Sequence, residues 1–238
     1  MRKRILGLEE ESAGLEPSAG RRDKMTSQAL DFAGSFLDRL ADMKTFEPDQ
    51  GRSKALDQPF SEGAGEFSGL LETLDTAVLN EGIKPASGGH LGYIPGGGIY
   101  PAALGDYLAD VTNCYSGVSF ATPGAARMEQ LLVRWMTELV GFPASSGGDL
   151  TSGGSVANLT AIVTAREAMD VRARDVDNSC IYMTEDAHHC LDKSIRAAGL
   201  ADCQRRLVPM DRRFRMDVPA LEQLILADKA KAEKALGN

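Results

Sequence analysis

Thr151-Ser152-Gly153-Gly154-Ser155-Val156-Ala157-Asn158 is the stretch on which the reading of this chain turns. A short apolar approach at residues 150–151 reads as the end of a strand. The glycine pair then breaks the chain, and a helix is expected over about 156–170. The pattern repeats further on. Residues 179–184 (SCIYMT) read as a strand, and 188–198 as a helix that stops at Gly199. A strand at 206–210 and a final helix from about 219 to 235 follow. Strands alternating with helices argue for an α/β fold, with a parallel sheet carrying helices on its faces.

Upstream, Thr122 as N-cap and Pro123 at the first helical position open a strong helix over 122–140. Met128, Leu131, Leu132, Trp135 and Leu139 recur along it, and Gly141 ends it. Another helix is expected from Pro101 to about Asn113. Before it, residues 86–98 (ASGGHLGYIPGGG) hold six glycines and read as a loop. Apolar residues at helical spacing predict helices over 29–40 (Ala29, Ala33, Phe36, Leu37, Leu40) and 66–81 (Phe67, Leu70, Leu71, Leu74, Val78). Residues 1–24, with their RKR, EEE and RRDK clusters, are expected to be disordered. The domain reading is therefore an extension over 1–24, a helical segment with its glycine loop over 25–100, and a sheet domain over 101–238.

A formal net charge of −8 argues against nucleic acid and anionic membranes as partners. No apolar run approaches the roughly 20 residues that cross a bilayer. Cys114, Cys180, Cys190 and Cys203 show no C-x-x-C pair, which reads as free thiols and a cytoplasmic protein.

Two segments carry chemistry. The first amides of a helix lack intrahelical partners and sit at its positive end. Gly153 and Gly154 let a phosphate come close to them, and the Ser155 hydroxyl adds a donor. The alternative is a plain strand–helix turn capped by Ser155. The second segment, Thr184-Glu185-Asp186-Ala187-His188-His189-Cys190-Leu191-Asp192-Lys193, starts where the next strand ends, on the ligand-binding edge of an α/β sheet. A metal site from His188, His189 and Cys190 is disfavoured, because adjacent helical residues point roughly 100° apart. Exposed histidines at a polar helix start, and His188 facing a planar cofactor, both stand. His90 reads as a turn-capping loop histidine, Lys193 as an exposed charge, and Arg205, Arg206, Arg212, Arg213 and Arg215 as a solvated group among aspartates.

Four segments together resemble the group II pyridoxal-phosphate-dependent amino-acid decarboxylases, in the family's order. They are Gly92 to Asp106 (GYIPGGGIYPAALGD), Ala121 to Ala125 with Met128-Glu129 and Trp135-Met136, Thr151 to Ala157, and Thr184 to His188. The resemblance implies a type I pyridoxal-phosphate-dependent transferase fold, with the sheet domain truncated and preceded by N-terminal helices. It implies that Gly153, Gly154 and Ser155 hold the phosphate of pyridoxal 5'-phosphate and that His188 stacks on its ring. Tyr93, Ile94 and Pro95 would face the side chain of an L-amino-acid substrate. The implied reaction is decarboxylation to an amine and carbon dioxide by an intact homodimer. His189 and Cys190 stand where relatives often carry serines, and Val156 replaces a frequent acidic residue. The family's lysine after a histidine is not found after His188, so the 238 residues alone are expected to be inactive. Rival readings are a non-catalytic remnant and an unrelated nucleotide-phosphate-binding domain.

Overall fold

The computed structural model describes residues 1–13, 16–59, 62–63, 65–93 and 96–236, without the side chains of 232–236. The chain forms two units, Met1–Asn113 and Cys114–Asn238, so the break falls after residue 113 rather than at 100.

The first unit opens with helices α1 (Arg2–Ser12) and α2 (Ala19–Arg39). Where the composition suggested disorder over 1–24, helix is present, but none of its residues is buried. Charge clusters suppress burial, and they do not prevent a helix, because Lys, Arg and Glu are good helix formers. Strands β1 (Phe46–Glu47) and β2 (Gly82–Ile83) pair antiparallel. Between them α3 (Phe67–Thr73) continues into a π-helical turn, Leu74–Leu79. The apolar stripe expected on this helix is largely uncovered: Leu70, Leu74 and Val78 are exposed, and Ala77 is the buried residue. Helix α4 (Tyr100–Thr112) closes the unit, with Asn113 in the left-handed region at φ 44°.

The second unit contains α5 (Pro123–Leu139), α6 (Gly154–Ala168), β3 (Cys180–Met183), α7 (Cys190–Ala197), β4 (Gln204–Leu207) and α8 (Val218–Leu236). β3 and β4 are parallel, with Ile181 opposite Arg205 and Tyr182 opposite Arg206. Side chains alternate across a strand, and the contacts follow that alternation. Ile181 and Met183 pack with Leu159 and Ile162 of α6 and Ile195 of α7, and Arg205 pairs with Asp192 of α7. On the other face Tyr182 and Arg206 both reach Asp228 of α8. The sheet is therefore sandwiched between α6 and α7 on one side and α8 on the other. This is the α/β layering expected from the sequence.

The core is small: Val176, Ile195, Ala198, Leu200 and Cys203. Ile195 is only 2% exposed, and burying such a side chain contributes roughly 1.5–3 kcal/mol. Gly199, at φ 71°, ends α7 as expected. A further expectation fails at the start of the sheet domain. Residues 150–151 form no strand. Two residues with no laddered neighbour satisfy none of their backbone groups by pairing, so the segment stays irregular. Among the described residues no helix is long and apolar enough to cross a membrane.

Candidate active site

Helix α6 begins at Gly154, earlier than expected, with Gly153 as its N-cap at φ 153° and ψ 167°. That backbone region is essentially restricted to glycine. Its first intrahelical bond runs from Ala157 N–H to the Gly153 carbonyl. The amides of Gly154, Ser155 and Val156 thus have no partner within the helix. No side chain caps them, so the plain reading with Ser155 as N-cap does not hold. Ser155 lies inside the first turn and is exposed. The Thr151 hydroxyl donates to the Gly153 carbonyl at 3.2 Å and ties the turn together.

Helix α7 follows the carboxyl end of β3. His188 stands just before it, and its Nδ1 accepts the Cys190 backbone N–H at 3.2 Å. One orphan amide of the helix start is thereby satisfied by an imidazole. This bond assigns the tautomer: in neutral His188 the proton sits on Nε2, leaving that atom a donor. The His188 and His189 rings lean together with centroids 4.1 Å apart, and both residues are exposed.

A bond that the sequence did not signal joins the two helix starts. Asn158 Nδ2 donates to Cys190 Sγ at 3.2 Å. Asn158 lies one turn into α6 from Ser155, and buried Cys190 lies two residues after His188. Both helices pack on the same face of the sheet. The free amides of α6 and the His188 imidazole therefore belong to one edge, the carboxyl end of β3. This holds although residues 150–151 form no strand.

The first-unit candidates divide. Tyr93 is 81% exposed and held at φ 62°, with its ring stacked 6.2 Å from that of His90. Ile94 and Pro95 lie outside the described residues. His90 caps no turn with its side chain. Its backbone N–H closes the turn to the Ser87 carbonyl, while Nε2 is buried without a partner among the described residues. Lys193 is exposed. Three of the five arginines are paired, Arg205 to Asp192, Arg215 to Asp211, and Arg206 to Asp228 through two bonds of 2.9 and 2.8 Å, while Arg212 and Arg213 are in no ion pair among the described residues.

The family described as "Pyridoxal-dependent decarboxylase conserved domain" matches residues 51–235. The chain belongs to this family. Aromatic-L-amino-acid decarboxylase of Bacillus atrophaeus is 29% identical over 226 residues, covering 94% of this chain and 46% of that protein. Glutamate decarboxylase of Drosophila melanogaster is 27% identical over 218 residues, covering 88% of this chain and 42% of its own length. A crystal structure of Oryza sativa TDC with PLP and tryptamine superposes with a TM-score of 0.80 at 21% identity, over 91% of this chain and 48% of the other. Mouse CSAD superposes at a TM-score of 0.70, again at 21% identity, over 88% of this chain and 47% of the other. The fold is thus that of the pyridoxal-phosphate decarboxylases, and the family's cofactor is pyridoxal 5'-phosphate. The chain spans about half the length of the relatives it matches. Membership replaces the reading as an unrelated nucleotide-binding domain.

The residues present fit the phosphate end of that cofactor. Three unpartnered amides, a hydroxyl and the positive end of a helix of 15 residues suit a dianion. Space is open beside them, since a Cβ built on Gly153 or Gly154 meets nothing within 4 Å.

Proposed function

We propose that this chain supplies the phosphate cradle and the ring-facing histidine of an enzyme that decarboxylates an L-amino acid to an amine and carbon dioxide. The carrying observation is the adjacency of the α6 amides and His188 at one sheet edge, joined through Asn158 and Cys190. In this reading the amides of Gly154 and Ser155, with the Ser155 hydroxyl, bind the phosphate, and Gly153 gives the backbone its approach. When bound, the pyridine ring accepts the electron pair left as carbon dioxide departs. His188 would face the ring and orient it, with its proton on Nε2 available to the reacting group. The bond from Cys190 N–H keeps the imidazole in that tautomer.

By the family pattern, Tyr93, Ile94 and Pro95 are assigned to the substrate's side chain. These three residue types supply no cation for a side-chain carboxylate, which favours aromatic substrates over glutamate or aspartate. The intact enzyme is a cytoplasmic homodimer. The exposed apolar stripe of α5 supports a further partner surface: Leu131, Trp135 and Leu139 are all uncovered. The 238 residues alone do not turn over in this reading, because no lysine directly after a histidine follows His188.

Binding tests the cradle without requiring activity. Pyridoxine 5'-phosphate, which lacks the aldehyde and so cannot label surface lysines, should bind the purified chain. Pyridoxine should bind at least tenfold more weakly, and Ser155→Ala should narrow that ratio. Equal affinity for the two probes would overturn the assignment.

A further inference from the structure

The first unit contains a cavity of about 350 Å³ that the proposed reaction does not use. It lies among the end of α2, the segment leading into β1, and the π-helical turn. π turns are rare and are found often at functional sites. Six charged side chains line the cavity: Arg39, Asp42, Lys44, Glu47, Asp75 and Lys84. Four are neutralised in pairs. Arg39 Nη2 lies 3.0 Å from Asp75 Oδ1, and Lys44 Nζ lies 2.9 Å from Glu47 Oε1. Among the described residues Lys84 and Asp42 are in no direct ion pair, although Glu47, bonded to Lys44, feels the Lys84 charge as well, which helps hold its carboxyl below the usual range.

Lys84 is only 9% exposed. Its Nζ donates to the Asn80 carbonyl at 3.0 Å, closing the end of the π turn. An ammonium has three N–H donors, so two remain. Burying a charge with bonds unmade is unfavourable, and an anion within reach offsets that cost. Asp42 is exposed. Phe36, Met43 and Leu79 add half-buried apolar surface to the lining.

We propose that this cavity binds a free α-amino acid with a medium-sized apolar side chain. Its carboxylate meets Lys84 Nζ, its ammonium meets Asp42, and its side chain lies on Phe36, Met43 and Leu79. The volume falls within the range of small-molecule sites. The cavity is lined by first-unit residues, none of them assigned to the cradle on α6, and needs no cofactor.

The test uses the full chain without pyridoxal phosphate and radiolabelled L-leucine in equilibrium dialysis. Leucine should bind with a Kd of about 1 mM or tighter. Isoamylamine lacks the carboxylate and 4-methylpentanoate lacks the ammonium, and each should compete at least tenfold more weakly. Lys84→Met removes the π-turn cap as well as the charge, so the amine probe examines that contact without altering the protein. Asp42→Asn changes an exposed residue and should bind leucine and 4-methylpentanoate alike. Ser155→Ala should bind leucine as the parent does. The proposal is overturned if leucine is not retained at about 10 mM. It is equally overturned if either truncated ligand competes as well as leucine, if Asp42→Asn keeps the discrimination, or if Ser155→Ala loses binding.

Discussion

Gly153 and Gly154 are neighbours, yet replacing each with alanine should change stability in opposite directions. A Cβ at either position meets nothing within 4 Å, so no clash contributes. The difference lies in the backbone. Gly153 sits at φ 153° and ψ 167°, where a side chain costs about 1–3 kcal/mol. Gly154 is the first residue of α6 and shows no positive φ. Alanine there lowers the entropy of the unfolded chain and should stabilise by about 0.4–1 kcal/mol. With a urea m-value of about 2 kcal/mol per molar, the midpoint should fall by about 0.5–1.5 M for Gly153→Ala. It should rise by about 0.2–0.5 M for Gly154→Ala. Far-UV circular dichroism during urea unfolding reads both. Gly153→Ala should also weaken pyridoxine 5'-phosphate binding, because relieving the strain redirects the amides. If Gly153→Ala matched Gly154→Ala in both midpoint and binding, the account of this turn would be wrong.

Three further outcomes are expected. The bidentate bond from Arg206, with the Tyr182 hydroxyl, lowers the Asp228 carboxyl from 3.8 to about 2. A carboxylate depressed in the folded state contributes stability that is present above about pH 4 and fades as pH falls towards 2. Asp228→Asn should flatten that part of the urea-midpoint curve and lower the midpoint at pH 7, and an unchanged slope would count against the clamp. Ile195→Ala should cost about 2–5 kcal/mol, since the side chain is buried against both helices and the sheet; a loss under about 1 kcal/mol in the same assay would contradict that packing. The 238-residue chain, given pyridoxal phosphate and a panel of L-amino acids, should release no carbon dioxide, and turnover of roughly 1 per second would refute this.

Much of the second unit was legible because its signals are local. Ile181, Tyr182 and Met183 form a short apolar run, and Gly199 stops α7 through a conformation that suits glycine. Residues 150–151 misled because a strand is defined by its neighbours. Two residues ahead of a glycine turn say nothing about whether a ladder exists. The stripe on α5 showed the same limit from the other side: its period specifies a helix, while Leu131, Trp135 and Leu139 stay exposed. The glycine turn that opens α6 could be read from Gly153-Gly154-Ser155. Its attachment to His188 could not, since Asn158 and Cys190 are 32 residues apart and neither is conspicuous alone. Asp228 was missed for a similar reason. Only the alternation of β3 and β4 brings Tyr182 and Arg206 to one face, and only the return of α8 places a carboxylate there.

The central claim is that the start of α6 and His188 hold one phosphorylated pyridine between them. Residue-resolved NMR during titration with pyridoxine 5'-phosphate tests it most directly. The amide signals of Gly154, Ser155 and Val156 should shift together with the His188 ring protons, following one saturation curve, while pyridoxine leaves the three amides unmoved. Amide shifts without any change at His188, or His188 shifts that pyridoxine reproduces in full, would contradict a single ligand spanning both.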